Sequence, residues 1–519
     1  MARVKLPDFI AEVVGNRASR RALGASALAL AAAGMNPQVT SPFVVDVQSA
    51  IRAQPGLAAL TTLVGVFGAG MLLAGGVAAD TFRTRRILTA ALMFLALASV
   101  LSLVVVSGPI LVASRMAGAM AAGFAIPFAI AAVATLYTGP ARAAAIGFAY
   151  AGYGAGLFLP PILLTITGPG GSDAPAYVAS AVVASAAVVV SRRVPDLPGA
   201  SRAHAAVAGR VAVWAFGVIS LAAGLAVVGS GLNPIRLAMI AVGVLVLVLA
   251  SLFEWRNRSR PVGIEVDLRT VTVVLGAGLF VGLAQAVPTA LLPVFFQVVL
   301  GYGPIFAAAA IAPIIVALVI AGPVAGWLLP RRSPRVLIGG GLVGVGLGDL
   351  LLGFVAGRGA SYLLFILPFI LVGAGFVIAT TVRTAVIFAS VPRDLPGSAA
   401  ALNEASVGLG GRIGIAAASL ALTQATLAAY AATLPAGVDV AHAVQPLHDL
   451  LIALGTPSFA ATVSGADPSL FQAYADAYVE GIRIVHLGAG ALAVIAGLLA
   501  GVLLRRRDPL QQGMWEHAR

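Results

Sequence analysis

Long apolar runs alternate with short polar breaks along almost the whole chain. A helix that crosses a bilayer needs about 20 mostly apolar residues. With Gly, Pro and charged positions taken as breaks, the pattern predicts fourteen such spans. They cover residues 22–46, 57–79, 87–106, 109–138, 143–166, 175–191, 211–230, 234–253, 270–299, 303–329, 335–356, 361–390, 398–432 and 481–504.

The polar breaks carry a second signal. With the N-terminus on the cytoplasmic face, 25 of the 32 Lys and Arg fall on that face. Arg52, Arg236, Arg358 and Arg483 fall outside, and Arg115, Arg383 and Arg412 lie within spans. Basic loops resist translocation, so such a bias sets orientation. An even span count then returns the RRR at 505–507 to the cytoplasmic face. One long outside segment, 433–480, is acidic and is expected to cap the membrane surface; its His442 and His448 lack a firm third metal ligand.

Composition supports this picture and narrows the function. Hydrophobic residues make up 60% of the 519 positions, charged residues only 10%, and mean hydropathy is +1.02. A soluble domain carries about 25% charged residues. Lipid must therefore be part of this chain's solvent. The net charge of +13 comes from short scattered clusters and not from a basic domain, so no nucleic-acid partner is expected. There is no cysteine, which excludes disulfides and thiolate chemistry. Lys5 is the only lysine, so no Walker A motif exists and ATP is not the fuel. GGGLVG at 339–344 lies inside a span without a preceding strand. Gly340, Gly344 and Gly348 there are expected to form a small-residue packing face. HExxH and GxSxG are absent, and no enzyme, cofactor or metal site is expected. Arginine in place of lysine, with abundant Ala and Gly, suggests a bacterial inner-membrane protein.

The two ends of the chain echo each other. GFAI at 123–126 matches GFVI at 375–378, and Pro140 matches Pro392, both at an offset of 252. Arg86-Ile-Leu matches Arg335-Val-Leu at an offset of 249. These matches suggest two six-helix bundles with an inserted helix pair, and parallel six-helix repeats build one large class of secondary transporters.

GGVAADTFRTRR, residues 75–86, is similar to the loop signature of the major facilitator superfamily through Gly76, Asp80, Arg85 and Arg86. Arg115 followed by Pro127 fits a second signature of that family. The fourteen spans and the stretch LPGSAAALNEASVGLGGRIGIA resemble its drug:proton antiporter branch of fourteen spans. The resemblance implies an all-α membrane protein of the major facilitator fold, two six-helix bundles plus two inserted linker helices. A cytoplasmic segment 1–21 would precede an N-terminal bundle, 22–192. A linker, 193–269, would carry spans 7 and 8. A C-terminal bundle, 270–504, would include the 433–480 loop, and a tail, 505–519, would close the chain.

The resemblance also implies a latch. Asp80 would face the N-terminus of a helix in the other bundle, Gly76 would allow close approach, and Arg85 and Arg86 would support the contact. The start of span 13, at Pro396-Gly397-Ser398, is the candidate partner. Polar groups inside a bilayer are costly and mark function. By the resemblance, Asn36, Gln38, Arg115, Gln285, Thr289, Phe296 and Arg383 line a central cavity, and Glu404, Arg115 and Asp349 are candidates for proton coupling. Residue counting puts Glu404 and Arg383 at one depth, as a pair, and Arg412 and Asp349 both in the outer half.

The expected function is proton-coupled export of amphipathic small molecules, drug-like or lipid-like, by alternating access. A proton gradient would supply the energy. An uptake symporter of the same fold and a non-transporting assembly partner remain alternatives. With Arg115 and Arg383 on cavity helices, anionic or neutral amphiphiles are expected to be handled better than lipophilic cations.

Overall fold

The computed structural model describes residues 17–39, 71–80, 82–104, 108–137, 139–167, 174–195, 234–256, 268–391, 395–434 and 468–504, with a few single positions between them. Most of spans 2 and 7, most of the 433–467 stretch, and the segments 1–16 and 505–519 lie outside the described residues. Every described element is helical.

The N-terminal set is α1 (Arg17–Val39), α2 (Met71–Asp80), α3 (Thr84–Val104), α4 (Gly108–Leu136), α5 (Gly139–Thr167) and α6 (Ala174–Ser191). Then comes α7 (Pro234–Arg256), which is span 8. The C-terminal set is α8 (Leu268–Val298), α9 (Pro304–Ala309), α10 (Ala312–Leu328), α11 (Pro334–Val355), α12 (Leu363–Ser390), α13 (Pro396–Ala431) and α14 (Pro468–Leu503). Eight described helices are long and apolar enough to cross a bilayer, and Met71–Asp80, Leu237–Ala250 and Ala312–Leu328 are shorter apolar helices. Large apolar side chains such as Phe94, Leu249, Phe354 and Val502 are exposed on the outer surface, as lipid contact requires.

Two boundaries differ from the expected ones. Span 10 is two helices, α9 and α10, interrupted at Ala310 and Ile311. Pro313 explains the break, because its ring clashes with the carbonyl four residues back and restricts the residue before it. The final helix begins at Pro468 and not at 481. The LFQAYADAYV stretch therefore continues the spanning helix instead of lying on the membrane surface. Gly481 does not stop it; that position packs on Leu422 and Thr426 of α13. At 36 residues each, α13 and α14 are about 54 Å long against a hydrocarbon core of about 30 Å, so both extend beyond the lipid tails.

The two sets pack alike. The first helix of each lies against the fifth, α1 on α5 and α8 on α13. The third lies between the fourth and the sixth, α3 between α4 and α6 and α11 between α12 and α14. Glycine makes the matching close approaches possible. A Cβ at Gly152 or Gly156 of α5 would strike the backbone of Ala27 or Ala31. A Cβ at Gly410 or Gly414 of α13 would strike that of Leu279 or Leu283. Helix α11 carries two such faces at seven-residue spacing. Gly339, Gly346 and Gly353 meet α14, and Gly341 and Gly348 meet α12. The expected single face of Gly340, Gly344 and Gly348 is thus corrected: a Cβ on Gly340 would meet nothing, because α11 is clasped from two sides.

Candidate functional site

The two halves touch first where α2 ends. Pro396 occupies the first turn of α13, so the amides of Gly397 and Ser398 have no intrahelical acceptor. The Asp80 carboxylate takes both. Its Oδ1 accepts from the Gly397 amide at 2.6 Å, and its Oδ2 accepts from the Ser398 amide at 2.8 Å and the Ser398 hydroxyl at 2.5 Å. Asp80 is 2% exposed, so these bonds form away from water. The approach is backbone on backbone. A Cβ at Gly76 would lie 2.6 Å from the Gly397 carbonyl oxygen, and a Cβ at Gly397 would strike that of Gly76. Leu73 of α2 and Ala401 of α13 extend the contact as a buried apolar pair. Arg86 is exposed and Arg85 half-buried at the start of α3. Beside this contact α5 meets α10, through Gly147 on Gly322 and Ala144 on Gly326.

Two turns further along α13, a polar cluster bridges the same two halves. The Tyr150 hydroxyl of α5 donates to Glu404 Oε1 and lies 3.2 Å from Thr384 Oγ1 of α12. Asn403 Nδ2 donates to Thr384 Oγ1 at 2.7 Å and to Glu404 Oε1 at 3.0 Å. Thr384 passes its own proton to the Thr380 carbonyl at 2.8 Å. Glu404 is partly exposed, whereas Tyr150, Thr384 and Asn403 are buried.

Arg383 neighbours this cluster but does not pair with Glu404, which corrects the expected ion pair. Its Nε donates to the Val274 carbonyl of α8 at 2.8 Å. Its Nη2 donates to Ser406 Oγ at 2.8 Å and to the Asn403 carbonyl at 3.3 Å. The reason is Gly278 of α8, where a Cβ would collide with the guanidinium and with Ser406. The missing side chain leaves a slot that draws the arginine toward α8. Arg383 is fully buried there, so it belongs to the packing of the C-terminal half and not to a cavity wall.

Other candidates also find places that residue counting did not show. Asp349 Oδ1 lies 3.2 Å from His486 Nδ1 of α14, both fully buried. Residue counting places it only in the same outer half as Arg412. The contact with His486 follows from α11 packing on α14, which puts Asp349 beside that helix. The Arg115 guanidinium stacks 4.1 Å above the Tyr177 ring of α6, inside the N-terminal half. Phe296 is fully buried against Tyr302, Tyr362, Phe365 and Phe369, an aromatic cluster and not a cavity surface. Asn36 is buried against α4, where a Cβ on Gly118 would come within 2.5 Å of its Nδ2. Gln285 and Thr289 are half-buried on α8, and the Thr289 hydroxyl bonds back to its own helix. The side chain of Gln38 lies outside the described residues. His442 is exposed and contacts Asp439 at 2.9 Å; among the described residues no group of three metal-ligating side chains converges.

Sequence reasoning missed Tyr150, His486 and Gly278. A tyrosine at a helix crossing, a histidine inside a span and a glycine opposite an arginine carry no motif. The intramembrane histidine alone was a signal, since ionisable groups there are rare.

Residues 26–415 match the profile of the Major Facilitator Superfamily. The puromycin resistance protein pur8 of Streptomyces alboniger is 30% identical over 395 residues, which are 71% of this chain and 74% of that protein. The fold is similar to that of the human organic anion transporter MFSD10 (TETRAN), with a TM-score of 0.60 at 14% identity over 93% of this chain and 99% of that one. It is also similar to the proton:xylose symporter XylE, with a TM-score of 0.57 at 15% identity over 92% and 94% of the two chains. At such identities these solved structures speak for the fold alone. The chain belongs to the Major Facilitator Superfamily, whose members are membrane transporters.

Proposed function

We propose that the protein exports amphipathic small molecules in exchange for protons, by alternating access between two six-helix halves, as a member of the drug:proton antiporter branch of fourteen spans. The observation that carries this reading is Glu404, an intramembrane carboxylate held by Tyr150 from the opposite half. A proton taken up there alters a bond between the two parts that must move. The Asp80 contact closes the same side of the joint. The arginine bias makes that side cytoplasmic, with both termini inside a bacterial cell membrane. The name of the relative, a puromycin resistance protein, supports drug export as the direction.

The disposition of charge bears on the substrate. Arg115 lies on Tyr177 and Arg383 is held by α8 and α13, so each guanidinium is engaged within its own half, which weakens the argument for preferring anions. Glu404 is the charged group of this cluster that retains exposure at the joint. A cation bound to a carboxylate competes with the proton, which produces exchange. An anion would instead bind together with the proton, which produces symport. Linkage requires this sign in each case. The reading is therefore export of amphipathic cations with an apolar body.

Purified protein in vesicles with an imposed proton gradient tests this directly. Matched cationic, neutral and anionic dyes, with puromycin in the panel, should show gradient-driven accumulation of the cations opposite to proton flow. Accumulation in the same direction as proton flow identifies a symporter and rejects the proposal.

A further inference from the structure

We propose that Tyr150 is the positioning residue that lets the proton occupancy of Glu404 decide whether the two halves stay joined at the Asp80 end. This rests on the reading of Glu404 as the proton site.

The geometry is specific. Tyr150 is the N-terminal-half side chain whose hydroxyl reaches the Glu404 carboxylate, and the same hydroxyl sits 3.2 Å from Thr384 on a third helix. Thr384 cannot take the phenolic proton's place as a donor to Tyr150, because its own proton goes to Thr380. Asn403 fills the remaining donor role toward Glu404 from the carboxylate's own helix. Among the described residues, the bond between halves at this depth is thus one phenol to one carboxylate. Hydrogen bonds to an ionised acceptor are roughly twice as strong as neutral ones. An ionised Glu404 holds α5 against α13, and a protonated Glu404 holds it weakly.

Among the described residues, the surroundings add no other titratable carboxylate at this level. Tyr153, one turn along α5, and Arg383 of α12 are the remaining ionisable groups in electrostatic reach. Helix α8 brings Gly278 and the Val274 carbonyl, both directed at Arg383. Asp80 acts at the start of α13, about 10 Å away along the helix axis. Both bonds therefore fasten α13 to the N-terminal half, Asp80 at its first turn and Tyr150 two turns on. Loss of the second shifts the load to the first.

The chain has no cysteine, so a single introduced thiol reports without background. Leu73→Cys places it in the buried contact with Ala401. Alkylation by a membrane-impermeant maleimide is measured in vesicles from pH 5 to 9, normalised at each pH to the denatured protein. In the Leu73→Cys parent, alkylation should rise as pH falls. Adding Tyr150→Phe should raise it about tenfold at neutral pH, the effect of one hydrogen bond to a charged group, and flatten the profile. Glu404→Gln should also flatten it. A parent-like profile in Tyr150→Phe, with Glu404→Gln flat, overturns the role of Tyr150 and leaves the proton site standing. A parent-like profile in Glu404→Gln overturns the proton site itself. Should Tyr150→Phe fail to insert, trifluorotyrosine at position 150 keeps the shape and strengthens the donor. The midpoint should then move to lower pH, and an unmoved midpoint overturns the proposal.

Discussion

Asp80→Asn is the most informative single change. The carboxylate accepts at least three hydrogen bonds, two of them from backbone amides at the start of α13. The amide keeps one acceptor oxygen. Its nitrogen must then face either the Gly397 or the Ser398 N–H, donor against donor. The group is 2% exposed, so water does not replace the lost acceptor. A hydrogen bond to a charged group contributes about 1.5–3 kcal/mol. The favourable interaction with the helix terminus reaches about 2 kcal/mol in partly buried sites, but it acts through the same N–H groups and is not added. The closed contact should weaken by about 2–3 kcal/mol, which lowers its equilibrium constant roughly 30- to 150-fold. The Leu73→Cys thiol measures this, since it becomes reactive when α2 and α13 separate. Normalised alkylation should rise steeply in Asp80→Asn, and transport should fall at unchanged membrane insertion. Ser398→Ala removes only the hydroxyl bond and should give an intermediate rise. Alkylation within twofold of the parent, with full transport, would falsify the role given to Asp80.

Gly397→Ala drives a methyl into the Gly76 backbone and within 2.9 Å of Asp80 Oδ1, so it should raise Leu73→Cys alkylation at least as much as Asp80→Asn; protection at the parent level would contradict the packing. Arg383→Gln and Glu404→Gln should rescue one another only weakly, because the two side chains share no bond and interact only through space; a double variant as thermostable as the native chain would restore the ion-pair reading. Asp349→Leu or His486→Leu alone should destabilise by about 1–3 kcal/mol, the cost of leaving a buried polar partner unsatisfied, while the double replacement should recover most of this. Equal unfolding temperatures for the single and double variants would show that the two groups are not coupled.

The fold was legible in the sequence because bilayer thickness imposes a length on every apolar run. The repeat was legible because the two halves solve one packing problem twice. Asp80 and its partner helix could be anticipated, since a short loop fixes where α2 ends and Pro396 fixes where α13 begins. The intramembrane contacts were less legible. Counting residues along a helix gives depth but not azimuth. Glu404 and Arg383 do lie at one depth, yet a glycine on a third helix decides which way the arginine turns. Asp349 and Arg412 were matched by depth too, and the rotation of α11 toward α14 gives Asp349 to His486 instead. Phe296 was assigned to the cavity by its helix, and its side chain points into an aromatic cluster. Tyr150 could not be anticipated, because a bond between halves depends on how two bundles meet.

The central claim is that a proton on Glu404 is exchanged for substrate. Its most direct test is substrate accumulation in vesicles under an imposed proton gradient, comparing the native chain with Glu404→Gln. The native chain should concentrate a cationic dye against its gradient and collapse to equilibration when an ionophore dissipates the proton gradient. Glu404→Gln should equilibrate the dye at best and never concentrate it, with or without the gradient. Concentration of the dye by Glu404→Gln to the native level would contradict the account.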